Sequence, residues 1–209
     1  MKINSVLWFF LFFGVILNSP RVTAEPDPLE LFFESTETFS ADFQQTVLGE
    51  NLELLQESMG RFVLRRPGRL LWTYGEPPEQ MIVADGNLLW VYDVSLEQVV
   101  VRRQDKGLGA TPAGLLADVK HPEQSYLVER LGIQQGIYWV SLFPKDSQGP
   151  FSQIQLGFDE GVLRFVQMLD QLEQVTRVQF KNISVNQDID EQIFVLDVPS
   201  HVDVIREDL

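Results

Sequence analysis

From Phe39 onwards the chain alternates apolar and polar residues with a period of two. Phe39, Ala41 and Phe43 share one side of FSADFQQTV, as a half-buried strand requires. Just before it, Leu29, Phe32, Phe33 and Thr36 recur at i, i+3, i+4 and i+7, one face of a short helix. Asp27 stands there as N-cap and Pro28 in the first helical position. Afterwards the strand signals follow one another: GRFVLRR, RLLWTY, MIVADGNLLWVYD and EQVVVRR. Asp85-Gly86 between two apolar runs predicts a hairpin with a type I′ turn. SYLVERLGIQQGIYWVSLFP and SQIQLGFDEGVLRFVQMLD predict two more, turning near Gln135-Gly136 and Asp159-Gly161; VTRVQFKNISV and QIFVLDV add strands at the end. The pattern as a whole predicts an antiparallel meander of roughly ten strands.

One segment breaks the meander. GLGATPAGLLADVK offers Thr111 as N-cap and Pro112 as first helical residue, with Leu115, Leu116 and Val119 on one side. A short helix inserted between hairpins and flanked by loops is a natural lid. The strands around it are apolar on both faces. Leu70, Trp72 and Tyr74 oppose Leu71 and Thr73, and Leu88, Trp90 and Tyr92 oppose Leu89 and Val91. Two architectures fit: a two-layer sandwich, or a curved sheet whose concave face lines an apolar cavity under helices. Within GRFVLRRPGR, Phe62 and Leu64 share a face whose next residue is Arg66, so an apolar face ends in a guanidinium.

The first residues belong to another regime. Lys2, an apolar run of 12 residues from Val6 to Leu17, and the small-residue site Val22-Thr23-Ala24 have the order of a secretory signal peptide. The run is short of the roughly 20 residues a membrane-crossing helix needs. Residues 1–24 are expected to be cleaved, leaving residues 25–209 as a single soluble domain with a real core. The leader holds two basic residues and no acid, so its removal takes the net charge from −14 to −16. Such a chain repels nucleic acid and anionic membrane surfaces. There is no cysteine, which removes thiol chemistry and any lipid-bearing cysteine at the mature N-terminus.

Candidate chemistry is sparse. His201 and Asp203 share a face of an extended segment but lack a third ligand or a nucleophile, and His121 precedes Pro122 in a polar turn. No G-x-S-x-G, HExxH, P-loop or GxGxxG occurs. Asp159-Glu160 reads as a solvated turn, and Arg65 and Arg66, being adjacent on a strand, point to opposite faces. No catalytic residue, metal or cofactor is expected.

Taken together, FSADFQQ, SMGRFVLRRPGRLLWTY, EQMIVADGNLLWVYDVSLEQV and, more weakly, TPAGLLAD and QIFVLDVPSHVDVI resemble the LolA family of periplasmic lipoprotein carriers. The series RP, W, DG, LW, Y, EQ carries the resemblance in combination, and His201 departs from it where glycine is expected. The resemblance implies a mainly β fold with short helices (α+β): an incomplete, half-open antiparallel β-barrel covered by a helical lid over an apolar cavity. It implies a monomeric carrier in the periplasm of a Gram-negative bacterium. Such a carrier takes acyl chains of lipoproteins from an inner-membrane ABC transporter of the LolCDE type and delivers them to an outer-membrane receptor of the LolB type. LolB-like receptors are themselves lipoproteins, so the missing cysteine favours the carrier.

The same resemblance gives Arg66 the role of a latch that hydrogen-bonds backbone carbonyls of the lid, near Phe33 in the first helix and Leu116 in the second. Five donors on one rigid fork suit that role; the alternative is an ion pair at the strand end. Phe43, Phe62, Leu64, Leu70, Leu71, Trp72, Val83, Trp90, Tyr92 and Leu115 are the expected wall and rim of the cavity. A different reading is a LolA-like module that senses lipid or peptide and regulates the cell envelope; a lipid-processing enzyme is a third.

Overall fold

A computed structural model describes residues 26–104, 112–117, 122–146 and 149–207. The expected leader, Thr111, Val119 and His121 lie outside the described residues. The first helix, α1 (Pro28–Ser35), begins as its sequence requires. Asp27 stays extended and its carboxylate accepts the Leu29 N–H at 3.0 Å, while Leu29, Phe32 and Phe33 turn inward and are buried. Then come β1 (Thr38–Leu48), β2 (Leu54–Arg65), β3 (Arg69–Tyr74), β4 (Gln80–Asp85), β5 (Leu88–Asp93) and β6 (Gln98–Arg103). After the short α2 (Pro112–Ala117) follow β7 (Tyr126–Gln134), β8 (Ile137–Pro144), β9 (Phe151–Asp159), β10 (Val162–Asp170), β11 (Val175–Val185) and β12 (Asp203–Glu207). Among the described residues no helix is long and apolar enough to cross a membrane.

The 12 strands of the described residues form one sheet, in the order β12-β6-β5-β4-β3-β2-β1-β11-β10-β9-β8-β7. Two meanders, β1 to β6 and β7 to β11, are therefore joined through the antiparallel pair β1–β11, with Phe43 opposite Phe180. The sheet curls enough that Leu89 of β5 and Val140 of β8 enter the same core, but its edge strands β7 and β12 do not pair with each other. This is a half-open barrel with short helices, as expected. The predicted hairpins are present: Gln135 and Gly136 both have positive φ (53° and 84°), as do Glu160 and Gly161 (48° and 80°), whereas between β4 and β5 only Gly86 does (103°), so that turn is not the expected type I′, which needs two such residues.

The chain's end differs from its sequence pattern. QIFVLDV is not a strand: Glu191–Phe194 form a short 3-10 turn, and β12 follows later, pairing parallel with β6, Asp203 opposite Gln98. This segment lies across the convex face. Phe194 and Val202 are buried there, as are Val63, Val83, Val99 and Val101, apart from the main core. Arg65 fastens it, donating to the Ile189 carbonyl at 2.9 Å and pairing with Glu191 at 3.2 Å. The C-terminal segment thus gives the convex apolar residues of β2, β4 and β6 a cover of their own.

Candidate functional site

The concave side follows from strand alternation. Phe39, Ala41 and Phe43 of β1 face inward, beside Phe62 and Leu64 of β2, Leu70 and Trp72 of β3, and Phe180 of β11. Aromatic rings dominate: Phe39 meets Phe62, Phe180 and Phe32 at centroid distances of 6.1, 5.3 and 6.2 Å, and Phe43 meets Trp72 at 5.5 Å. Packing around them is close: Phe62, Leu64, Leu70 and Leu116 have no exposed surface at all. Phe33, Phe43, Trp72 and Leu115 are buried in the same cluster.

Not every expected wall residue is there. Leu71, Val83 and Trp90 form a cross-strand row with Val63, and Tyr92 pairs with Met81. That row belongs to the face opposite Phe62 and Leu64, because neighbouring residues on a strand point to opposite sides. Leu71, Val83, Trp90 and Tyr92 are therefore convex-side residues, a correction to their expected place in the cavity wall. Trp90 is fixed there by its indole Nε1, which donates to the Asp85 carboxylate at 3.2 Å. The bulkier face of LLWVYD is the outer one.

Arg66 continues the inner face beyond the last residue of β2. Its Nη1 donates to the carbonyls of Phe32 and Thr36, both at 2.7 Å, and Nη2 and Nε reach the Leu116 carbonyl at 3.0 and 3.3 Å. One guanidinium thus bridges both helices. Each of these carbonyls lies in or just after the last turn of its helix, where backbone oxygens lack an intrahelical partner and carry negative partial charge. The acceptors in α1 are Phe32 and Thr36, not Phe33. Phe33 instead offers its ring, whose centroid lies 5.1 Å from the guanidinium carbon, with the Phe32 ring at 4.7 Å. Arg65, one residue earlier, points to the convex side, as adjacency on a strand demands.

Other contacts that hold α1 were not legible in the sequence. Asn186 accepts the Glu37 N–H and donates to the Ser35 carbonyl, both at 2.8 Å, fixing the helix exit. At the helix entrance Arg130 of β7 hydrogen-bonds the Asp27 carboxylate and pairs with Glu30 at 3.3 Å. The Asp27 hydrogen bond, chiefly, raises the Arg130 pKa. The signal available was the need of each helix end for partners, but Arg130 and Asn186 are each 100 or more residues away.

The inner face turns polar towards the end of the strands away from Arg66. There the Tyr74 hydroxyl lies 3.4 Å from Gln45 Oε1, and burial pushes its pKa up to about 12 from 10.0. Burial favours the neutral phenol. The corresponding stability is full below pH 10 and is lost as pH rises through about 12. Tyr74→Phe is accordingly expected to remove part of the stability loss of the wild type across that range, read by chemical denaturation at pH 9.5 and 11.5. Equal losses in both proteins would contradict the assignment.

A separate shallow groove of about 380 Å³ lies on the convex side, with Trp139, Phe165, Gln44, Gln167, Gln179 and Arg177 among its lining. Apolar rings and amide groups share its walls, and it lies outside the aromatic cluster of the concave side. Among the described residues no group of three His, Asp or Glu side chains is placed to hold a metal.

Comparison with known proteins agrees with this geometry. The family described as outer membrane lipoprotein carrier protein LolA matches residues 34–197. The chain is 36% identical over 208 residues to the outer-membrane lipoprotein carrier protein of Nitrosospira multiformis, covering 99% of this chain and 100% of that one. It is also 36% identical to the protein of that name from Nitrosomonas europaea, covering 96% and 98%. A solved structure of a conserved protein from Thermus thermophilus shares the fold at TM-score 0.54 and 11% identity, covering 86% of this chain and 95% of that one. With matched sequence running through α1, α2, the strand that leads into Arg66 and the curled sheet, the chain belongs to the LolA family of outer-membrane lipoprotein carrier proteins.

Proposed function

We propose that this protein is a periplasmic carrier that withdraws the acyl chains of lipoproteins from water inside its curled sheet and delivers them to the outer membrane. It performs no chemistry on its cargo. The observation that carries the reading is the single guanidinium of Arg66 bonded to carbonyls of both helices, over an interior lined by large apolar side chains. In this reading α1 and α2 are the lid and Arg66 its latch. The closed, filled interior is the empty carrier, and acyl chains enter as the helices swing away and the aromatic rings separate. Phe43, Phe62, Leu64, Leu70, Trp72 and Leu115 then line the cavity.

Magnitudes favour a device that both binds and releases. An acyl chain of about sixteen carbons gains ~12 kcal/mol when fully buried, at ~0.8 kcal/mol per methylene. Exposing Leu29, Phe32, Phe33, Leu115 and Leu116 of the lid costs ~10 kcal/mol at ~2 kcal/mol each. The two nearly cancel, so the bonds of Arg66 decide how readily cargo leaves. In their absence a buried chain would stay.

The inner-membrane donor is a transporter of the LolCDE type and the receptor one of the LolB type. With a net charge of −14, or −16 once the expected leader is removed, the carrier suits partners that present basic faces. Transfer from carrier to receptor vesicles is expected to slow several-fold when salt is raised from low to physiological and above; a rate independent of salt would remove this part. The function itself is tested by purifying the protein from the periplasm of a Gram-negative host and weighing its complexes by native mass spectrometry. Acylated lipoproteins bound to the carrier are expected; recovery of the protein without any acylated species under conditions of active lipoprotein export would contradict the reading.

A further inference from the structure

Trp72 is a polar exception on the concave face. Its Nε1 is buried and has no hydrogen-bond partner among the described residues. The ring itself is well held: it stacks on Tyr74 at 5.9 Å with an interplanar angle of 5°, and meets Phe62 edge-on at 4.9 Å. Phenylalanine would serve that packing without an orphan donor, since buried N–H groups almost always find an acceptor and lose free energy when they do not. The position of Trp72 adds a second observation. Towards Arg66 its inner-face neighbours are Leu64 and Leu70; on the other side come Tyr74 and Gln45, whose polar ends meet. Trp72 stands where the interior changes from hydrocarbon to polar. An acyl ester changes in the same way, from hydrocarbon through a carbonyl to a polar backbone.

Resting on the carrier reading, we propose that Trp72 Nε1 is the donor for an ester carbonyl oxygen of the bound acyl chains, and that it makes the carrier select acyl esters over alkyl ethers. A carbonyl oxygen is a strong acceptor. An ether oxygen of a chain of the same length is a weaker one and is placed one bond differently. In the empty state the N–H is boxed in by rings; loading separates those rings and supplies the missing acceptor. The free energy of one satisfied donor then appears only with the correct linkage, which is the way a site built around a hydrogen bond discriminates.

The test uses the mature protein with two probes of matched chain length, 1,2-dipalmitoylglycerol and 1,2-di-O-hexadecylglycerol, each competing against a fluorescent fatty-chain reporter. Wild type is expected to bind the diester about tenfold more tightly, the scale of one good hydrogen bond, and Trp72→Phe to bind both alike. The indole N–H resonance of Trp72, assigned by its loss in that variant, is expected to move downfield with the diester and not with the diether. Equal binding of both probes by wild type overturns the proposal and leaves the carrier reading standing. So does a diester preference that survives in Trp72→Phe, or an indole resonance that the diester does not move, which would leave the N–H on the faces of neighbouring rings. Failure to bind either probe removes the carrier reading and this proposal together. If Trp72→Phe does not fold, the wild-type affinity ratio and the indole resonance that responds to diester alone decide the matter.

Discussion

Arg66→Leu is expected to capture cargo as well as the wild type and to lose at least ten-fold in delivering it. Leucine keeps the bulk at the strand end but removes every donor that Arg66 extends to Phe32, Thr36 and Leu116. Hydrogen bonds to a charged donor contribute roughly 1.5–3 kcal/mol each, and these exist only when both helices are closed. Their loss raises the free energy of the empty, closed state and leaves the open, loaded state unchanged. Binding is therefore no weaker, while return to the closed state, which expels the chains, loses its driving force. The asymmetry is measured by loading variant and wild type with one labelled lipoprotein and following its passage to receptor-bearing vesicles. Equal transfer by the two proteins would remove the latch from the mechanism. Lysine at this position is expected to rescue only in part, because a point charge cannot span carbonyls on two helices as the planar fork does.

Gly60→Ala is expected to damage the fold although it adds a single methyl group. Gly60 lies on β2, opposite Phe43 on one side and Tyr74 on the other. A β-carbon there would stand 1.8 Å from the Thr73 carbonyl oxygen and 3.1 Å from the Phe43 ring. The first obstacle is backbone, so β2 and β3 must part locally for the methyl group to fit. The second is the ring that packs against Trp72. Overpacking of this kind costs about 3 kcal/mol, which for a domain of this size lowers Tm by roughly 6–12 °C. Thermal unfolding of the variant reads it directly, and an unchanged Tm would show that the sheet yields there at no cost. A glycine in a strand interior often marks such a close approach, and here the Phe43 and Tyr74 rings that flank Gly60 meet at a centroid distance of 5.2 Å.

Local features of the fold were open to reading from sequence. Period-two alternation placed β1 and the hairpins, Asp27 and Pro28 placed the start of α1, and Asp85-Gly86, Gln135-Gly136 and Asp159-Gly161 placed turns. Alternation also separated Leu70 and Trp72 from Leu71, but it could not say which face is concave. That depends on β1 pairing with β11 across most of the chain and on the C-terminal segment covering Val83 and Val99, neither of which leaves a local trace. QIFVLDV looked like a strand because it is apolar; its apolar residues serve instead to cap the convex side, with Phe194 buried. The bridging place of Arg66 was half legible. An arginine at the end of an apolar face was visible as an anomaly, and its motif supplied a role. That Phe32 and Thr36, not Phe33, present the carbonyls depends on how the last turn of α1 is oriented by Asn186 and Arg130, both remote in sequence.

In the proposed mechanism the interior receives acyl chains, not the polypeptide of the cargo. This is tested most directly by offering the protein one lipoprotein in two forms, acylated and lacking its acyl chains, and measuring which forms a soluble complex. A stable complex is expected with the acylated form and none with the other. Equal complexes with both forms would contradict it.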